Sequence, residues 1–168
     1  MRHLPIKSII VGVLLAASSA WSQVAERYQL REDFRLGLDL RHVVKAIERL
    51  PPFKRYFQLT LEEKALVRSF YTGMREADDP PYPDNGIGFY NAVMQLHARD
   101  LDVHGELALE VAVSAQGSTI SIRVIRAPND RMAALAVSGA KNMNFTPAQC
   151  ESTPCALSFP IGLFLAGN

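Results

Sequence analysis

Few residue types in this chain are placed to do chemistry. Cys150 and Cys155 are its two cysteines, separated by four residues, Glu151-Ser152-Thr153-Pro154. A thiol–disulfide exchange motif normally has two intervening residues, and two thiols without a nearby histidine do not complete a zinc shell. In an oxidising compartment a structural disulfide is their default. Chain-entropy arithmetic gives so small a loop roughly 2 kcal/mol before strain. His97, Asp100, Asp102 and His104 form a second cluster that suggests metal or acid–base work. Its spacing fits neither HExxH nor a finger. A helix expected to end between the two histidines leaves them no common face, so solvated polar residues at a corner are the simpler reading. Glu106 and Glu110 would share the outer face of a strand, too far apart to hold one proton between them. Asp78-Asp79 beside Pro80 reads as a helix-ending charge pair rather than a calcium site. There is no Gly-x-Ser-x-Gly elbow and no phosphate loop, and Gly86 and Gly88 belong to no nucleotide fingerprint. The expectation is therefore a non-enzymatic protein, with no catalytic residue, no metal and no cofactor.

Composition narrows the classes further. The 168 residues carry 18 Lys+Arg against 17 Asp+Glu, with 48% hydrophobic and 21% charged residues. These are globular values, and a net charge of +1 gives no footprint for nucleic acid and no polybasic membrane patch. The first 20 residues read as a cleavable signal peptide. Arg2 and Lys7 start it, Ile9 to Ala17 form its apolar stretch, and Ser18-Ser19-Ala20 supplies the small residues a signal peptidase reads. Cleavage after Ala20 is the first choice, after Ser22 the second. Ser8 to Ala20 gives about 13 uncharged residues, short of the roughly 20 a membrane span needs. The mature chain is expected in the periplasm, where Cys150 and Cys155 would be oxidised and no transmembrane span would remain.

The elements fall on either side of a proline-rich joint, Asp78-Asp79-Pro80-Pro81-Tyr82-Pro83-Asp84-Asn85-Gly86. Residues 24–78 read as a helical region. Leu36, Leu40, Val43, Val44 and Ile47 make one apolar stripe. Thr60 and Glu63 make a capping box for a helix running to about Glu76, with Leu61, Ala65, Leu66, Phe70 and Met74 inward. Phe53, Tyr56, Phe57, Phe70 and Tyr71 read as core. Residues 80–168 read as an α+β domain. Its helix from Phe89 to about Asp100 is expected to turn Phe89, Val93 and Leu96 inward, with Met94 a further candidate. From Leu107 the period changes to two, with Leu107, Leu109, Val111 and Val113 on one face, and Gln116-Gly117 turns the chain into a partner strand, Thr119 to Arg126. Asp130 is the expected N-cap of a helix with Met132, Leu135, Ala136, Gly139, Ala140 and Met143 on one face, the small residues letting it sit close to a sheet. A last strand, Ala156 to Leu165, has Leu157, Phe159, Ile161, Leu163 and Leu165 on one side, and Pro160 where no ladder bond is needed. The sum is a small antiparallel three-stranded sheet with helices packed on one face, preceded by the helical region.

This order resembles the C-terminal domain of the TonB/TolA family of periplasmic energy-transducing proteins. Tyr82-Pro83 precedes the first helix, Gly105 enters the first strand, Gln116-Gly117 makes the turn, and Asp130 leads the second helix. Phe145-Thr146-Pro147-Ala148 and Phe159-Pro160-Ile161 follow. The similarity covers about half the chain, and each motif is short. It implies a module that pairs a sheet edge with an extended segment of an envelope or outer-membrane transport protein. On that reading the last strand presents the edge, and Leu157, Phe159, Ile161 and Leu163 contact the partner. The chain departs from the family by lacking a membrane tether and a long Pro-rich spacer, so energy transduction is not implied, and a soluble adapter fits better. The alternative is a periplasmic inhibitor or structural envelope protein that uses loops of the same fold.

Overall fold

A computed structural model describes residues 28–38 and 40–167. The expected signal peptide, residues 1–20, and its expected cleavage site lie outside the described residues. The described residues open with β1 (Gln29–Leu30), α1 (Glu32–Arg35) and α2 (Leu40–Glu48). A 3₁₀ turn at Tyr56–Gln58, α3 (Leu61–Arg68), β2 (Tyr71–Thr72) and β3 (Tyr82–Pro83) follow. Then come α4 (Gly88–Asp100), β4 (Gly105–Val113), β5 (Thr119–Arg126) and α5 (Asp130–Lys141). Short strands β6 (Phe145–Thr146), β7 (Ala148–Cys150) and β8 (Thr153–Cys155) lead into β9 (Leu157–Leu165). The fold is α+β with small antiparallel sheets: β1 pairs with β2, β3 with β6 and β7 with β8, while β5, β4 and β9 form a three-stranded sheet in that order.

The alternation in β4 produces what its period implies. Leu107, Leu109, Val111 and Val113 are buried and stand opposite Leu163, Ile161, Phe159 and Leu157 of β9. The second face is covered as well, because Ala108, Pro160 and Gly162 are also buried. The expectation of helices on one face is corrected here: α2 crosses the second face. A Cβ on Gly162 would stand 2.9 Å from Val44 Cγ2, so the missing side chain is what lets helix and strand approach. Buried residues from both sides of the proline joint make one core, with Phe34, Val44, Ile47 and Val67 joining Leu109, Met132 and Phe159. Gly117, at φ +85° with the Phe145 carbonyl 2.0 Å from where its Cβ would be, makes the tight turn between β4 and β5.

Several local expectations shift. Leu36 lies in the turn after α1 and is exposed, so the α2 stripe begins at Leu40. The Thr60–Glu63 capping box is formed, with the Thr60 amide donating to Glu63 Oε2 at 2.7 Å and the Glu63 amide donating to Thr60 Oγ1 at 3.2 Å. That helix ends at Arg68, because the chain extends at Tyr71–Thr72 to pair with β1, and it buries Val67 while Leu61 stays exposed. In α4 the buried residues are Tyr90, Met94 and Ala98, while Phe89 is 73% exposed and Leu96 also faces outward. The helix is apolar on both sides, and α5 decides between them. Gly139 admits Tyr90 and Met94 at 3.2–3.3 Å from its would-be Cβ, and the Tyr90 hydroxyl donates to the Ala136 carbonyl at 3.1 Å. Asn129 rather than Asp130 caps α5, accepting from the Met132 amide at 2.8 Å. Phe53 and Phe57, expected in the core, are exposed, whereas Tyr56, Phe70 and Tyr71 are buried.

Candidate functional site

The three-stranded sheet has two borders, and they differ in what reaches them. Beyond β9 the chain covers its own border with side chains. The Tyr71 hydroxyl donates to the Ser158 carbonyl at 2.9 Å. The Phe164 amide donates to Glu48 Oε1 at 3.5 Å, Gln95 Nε2 donates to the Phe164 carbonyl, and the Ala166 amide donates to Gln95 Oε1 at 3.2 Å. Ser158 and Phe164 therefore turn their main chain outward, and alternation gives Pro160, which lacks an N–H, the same orientation. Leu157, Phe159, Ile161 and Leu163 are all buried. This corrects the expectation that their side chains contact a partner: they are committed to the core opposite β4.

The β5 border is built differently. Ser158 and Phe164 pair with Ala112 and Glu106, so those two residues of β4 direct their main-chain bonds toward β5. Ala112 stands opposite Ser121, Val111 opposite Ile122 and Leu109 opposite Val124. Ile122 and Val124 consequently turn N–H and C=O away from the sheet. Register shifts at each end confine the regular ladder to Ser121–Val124. Ile120 is 62% and Val124 38% exposed beside this border. No hydrogen bond among the described residues caps Ile122 or Val124 from outside. Nearby, Leu36 and Leu38 are exposed on either side of Gly37, whose would-be Cβ lies 3.4 Å from Ile125.

The two strand carboxylates serve attachment. Glu106 accepts from Arg41 of α2 at 3.3 Å and lies 3.4 Å from Arg126, and Glu110 accepts from Arg123 Nε at 3.0 Å. The same arginines donate onward, Arg123 to the Arg35 carbonyl at 3.0 Å and Arg126 to the Gly37 carbonyl at 3.2 Å. The loop after α1 is thereby held on the β5 side of the second face.

A further constellation escaped the sequence reading. Asp78 is 1% exposed. It accepts from the Tyr28 hydroxyl at 2.8 Å, from Arg75 Nε at 2.7 Å and Nη2 at 3.1 Å, and from the Glu151 amide at 2.8 Å. It is a buried anchor, not a helix-ending charge. The Arg75 guanidinium leads in holding its carboxyl well below the usual carboxylate range; the Glu151 and Tyr28 donors assist, and burial opposes. Arg75 three residues before Asp78 was the one legible hint. Its neighbour Asp79 exchanges main-chain bonds with Gln149 at 3.1 and 2.8 Å, which fixes the hairpin of β7 and β8. Cys150 and Cys155 are joined across that hairpin.

The remaining candidates are dispersed. His104 Nε2 lies 3.7 Å from Asp102 Oδ1, and its Nδ1 accepts from the Gly167 amide at 3.2 Å; both side chains are exposed. Among the described residues no three His, Cys, Asp or Glu side chains are grouped to hold a metal ion. Burial pushes the Tyr82 phenol up to about 12, with the Glu63 charge adding to the shift. An apolar groove of about 520 Å³ lies between α4 and the end of α5, with Phe53, Phe89, Val93 and Met143 in its wall. Among the described residues no helix is long and apolar enough to cross a membrane. No family model matches the chain, and no curated protein matches it.

Proposed function

We propose that this is a non-enzymatic protein-binding module of the cell envelope that seats a short extended segment of a partner protein along β5. The carrying observation is the asymmetry of the sheet: Ile122 and Val124 turn uncapped main-chain groups outward, whereas the border of β9 is already occupied by Tyr71, Glu48 and Gln95. Strand addition needs free N–H and C=O groups, with pockets or apolar flanks for alternate side chains. Ile120 and Val124 supply such a flank. The sheet order, with the first hairpin strand in the middle and the crossover strand beside it, supports the TonB/TolA-like reading of residues 80–168. The bonded cysteines support an oxidising compartment. Because the straight part of the border is short, main-chain bonding at about 1 kcal/mol per bond gives a weak and reversible complex.

Photo-crosslinking amino acids placed singly at Ile120, Val124 and Ser158 of the full chain test this in envelope extracts. Adducts of one defined protein at the two β5 positions, lost in Ile122→Pro, are expected, since proline removes the outward donor. Adducts confined to Ser158, or persisting undiminished in folded Ile122→Pro, would overturn strand addition at β5.

A further inference from the structure

We infer that the Cys150–Cys155 bond is a redox latch for the N-terminal strand, which lies far from it in sequence. Glu151 and Ser152 form the tip between β7 and β8, both at positive φ (52° and 65°). Neither is glycine, and L side chains adopt such a turn at a steric cost in each residue. The bonded cysteines flank the turn and constrain it. The turn aims the Glu151 amide at Asp78 Oδ1, 2.8 Å away, while Asp78 Oδ2 receives the Tyr28 hydroxyl at 2.8 Å. Tyr28 immediately precedes β1, which is only two residues long and pairs with Tyr71–Thr72. Tyr71 in turn caps the β9 border at Ser158. A continuous series of hydrogen bonds thus runs from the disulfide hairpin to the cover of β9.

Reduction by a dithiol splits the S–S bond, adds two electrons and two protons to give two thiols, and leaves the reductant as its own disulfide. Glu151 to Pro154 are exposed and Cys155 is half-buried, so a reductant can approach from the Cys155 side. Once the cysteines part, the tip relaxes out of its left-handed turn, the Glu151 amide leaves Asp78, and the anchor for Tyr28 weakens. In the oxidised protein β1 is held; in the reduced protein β1 and β2 loosen and the Ser158 end of the β9 border is uncovered, while Glu48 and Gln95 keep their hold on its Phe164 end.

Amide hydrogen exchange of the full chain, oxidised and in dithiothreitol, reads this directly. Reduction is expected to speed exchange at residues 28–31 and 70–72 about tenfold, the scale of one lost hydrogen bond, and to leave 107–111 unchanged. Tyr28→Phe, which lacks the hydroxyl that reaches Asp78, should exchange fast at 28–31 even when oxidised and gain nothing on reduction. Asp78→Asn, which keeps the shape but not the charge, should behave alike. Faster exchange confined to 148–155 would overturn the latch, as would an even rise that includes 107–111. A Tyr28→Phe variant that responds to dithiothreitol as fully as the parent would also overturn it.

Discussion

Asp78 concentrates three donors from three stretches of chain on one carboxylate. Truncating it removes the hydrogen bonds from the Tyr28 hydroxyl, the Arg75 guanidinium and the Glu151 amide at a buried carboxylate, and hydrogen bonds to a charged group are the stronger ones. Asp78→Ala is expected to lower unfolding free energy by about 2–3 kcal/mol, measured by urea titration near neutral pH. The charge-dependent part has a definite sign. The folded carboxyl titrates below its unfolded value of about 3.9, so its contribution is complete above that value and fades as pH falls through the folded one. The stability gap between wild type and Asp78→Asn should therefore narrow from about pH 7 to about pH 2.5. A gap that stays constant would show that the ionised form contributes nothing. This residue was poorly legible in the sequence. An acid beside prolines reads as a helix end, and its partners at positions 28 and 151 meet it only after long-range folding.

Elements were legible where a local rule governs them. The Thr60 box, the alternation of β4 and the Gln116-Gly117 turn depend on near neighbours, and the structure contains all three. The face of α4 depends on Gly139 of another helix, and α3 stops early because β2 must pair with β1; neither partner is visible from within the segment. The contact of α2 with β9 gives a sharp test at this scale. Gly162→Ala places a methyl within 2.9 Å of Val44 Cγ2, an overpacking that typically costs about 1–3 kcal/mol. Adding Val44→Ala should recover part of the loss in thermal denaturation. If the double variant is no better than additive, the crowding lies elsewhere.

Across the whole molecule, the two parts separated by the proline joint bury their side chains together. Phe34, Val43 and Ile47 from before the joint lie in one cluster with Leu109, Phe159 and Ile161 from after it. Arg41, Arg123 and Arg126 add ties at the surface. The chain is expected to unfold in a single urea transition with coincident far- and near-ultraviolet circular dichroism. Two separated transitions would show that the N-terminal elements dock on an independently stable sheet. The candidate site is the least legible feature at this scale. Alternation identifies which residues of β9 share a face, but not that both faces are filled or that β5 is the border left open, because strand order depends on pairings remote in sequence.

Pro160 acquires a protective sense from this arrangement. Should the helical cover ever lift from β9, a nine-residue apolar strand would stand exposed, the kind of template on which chains stack into fibres. One rung of that template has no donor to offer, so a copy arriving from solution meets a gap in mid-strand. The sheet can thus tolerate a momentarily bare flank without seeding its own aggregation.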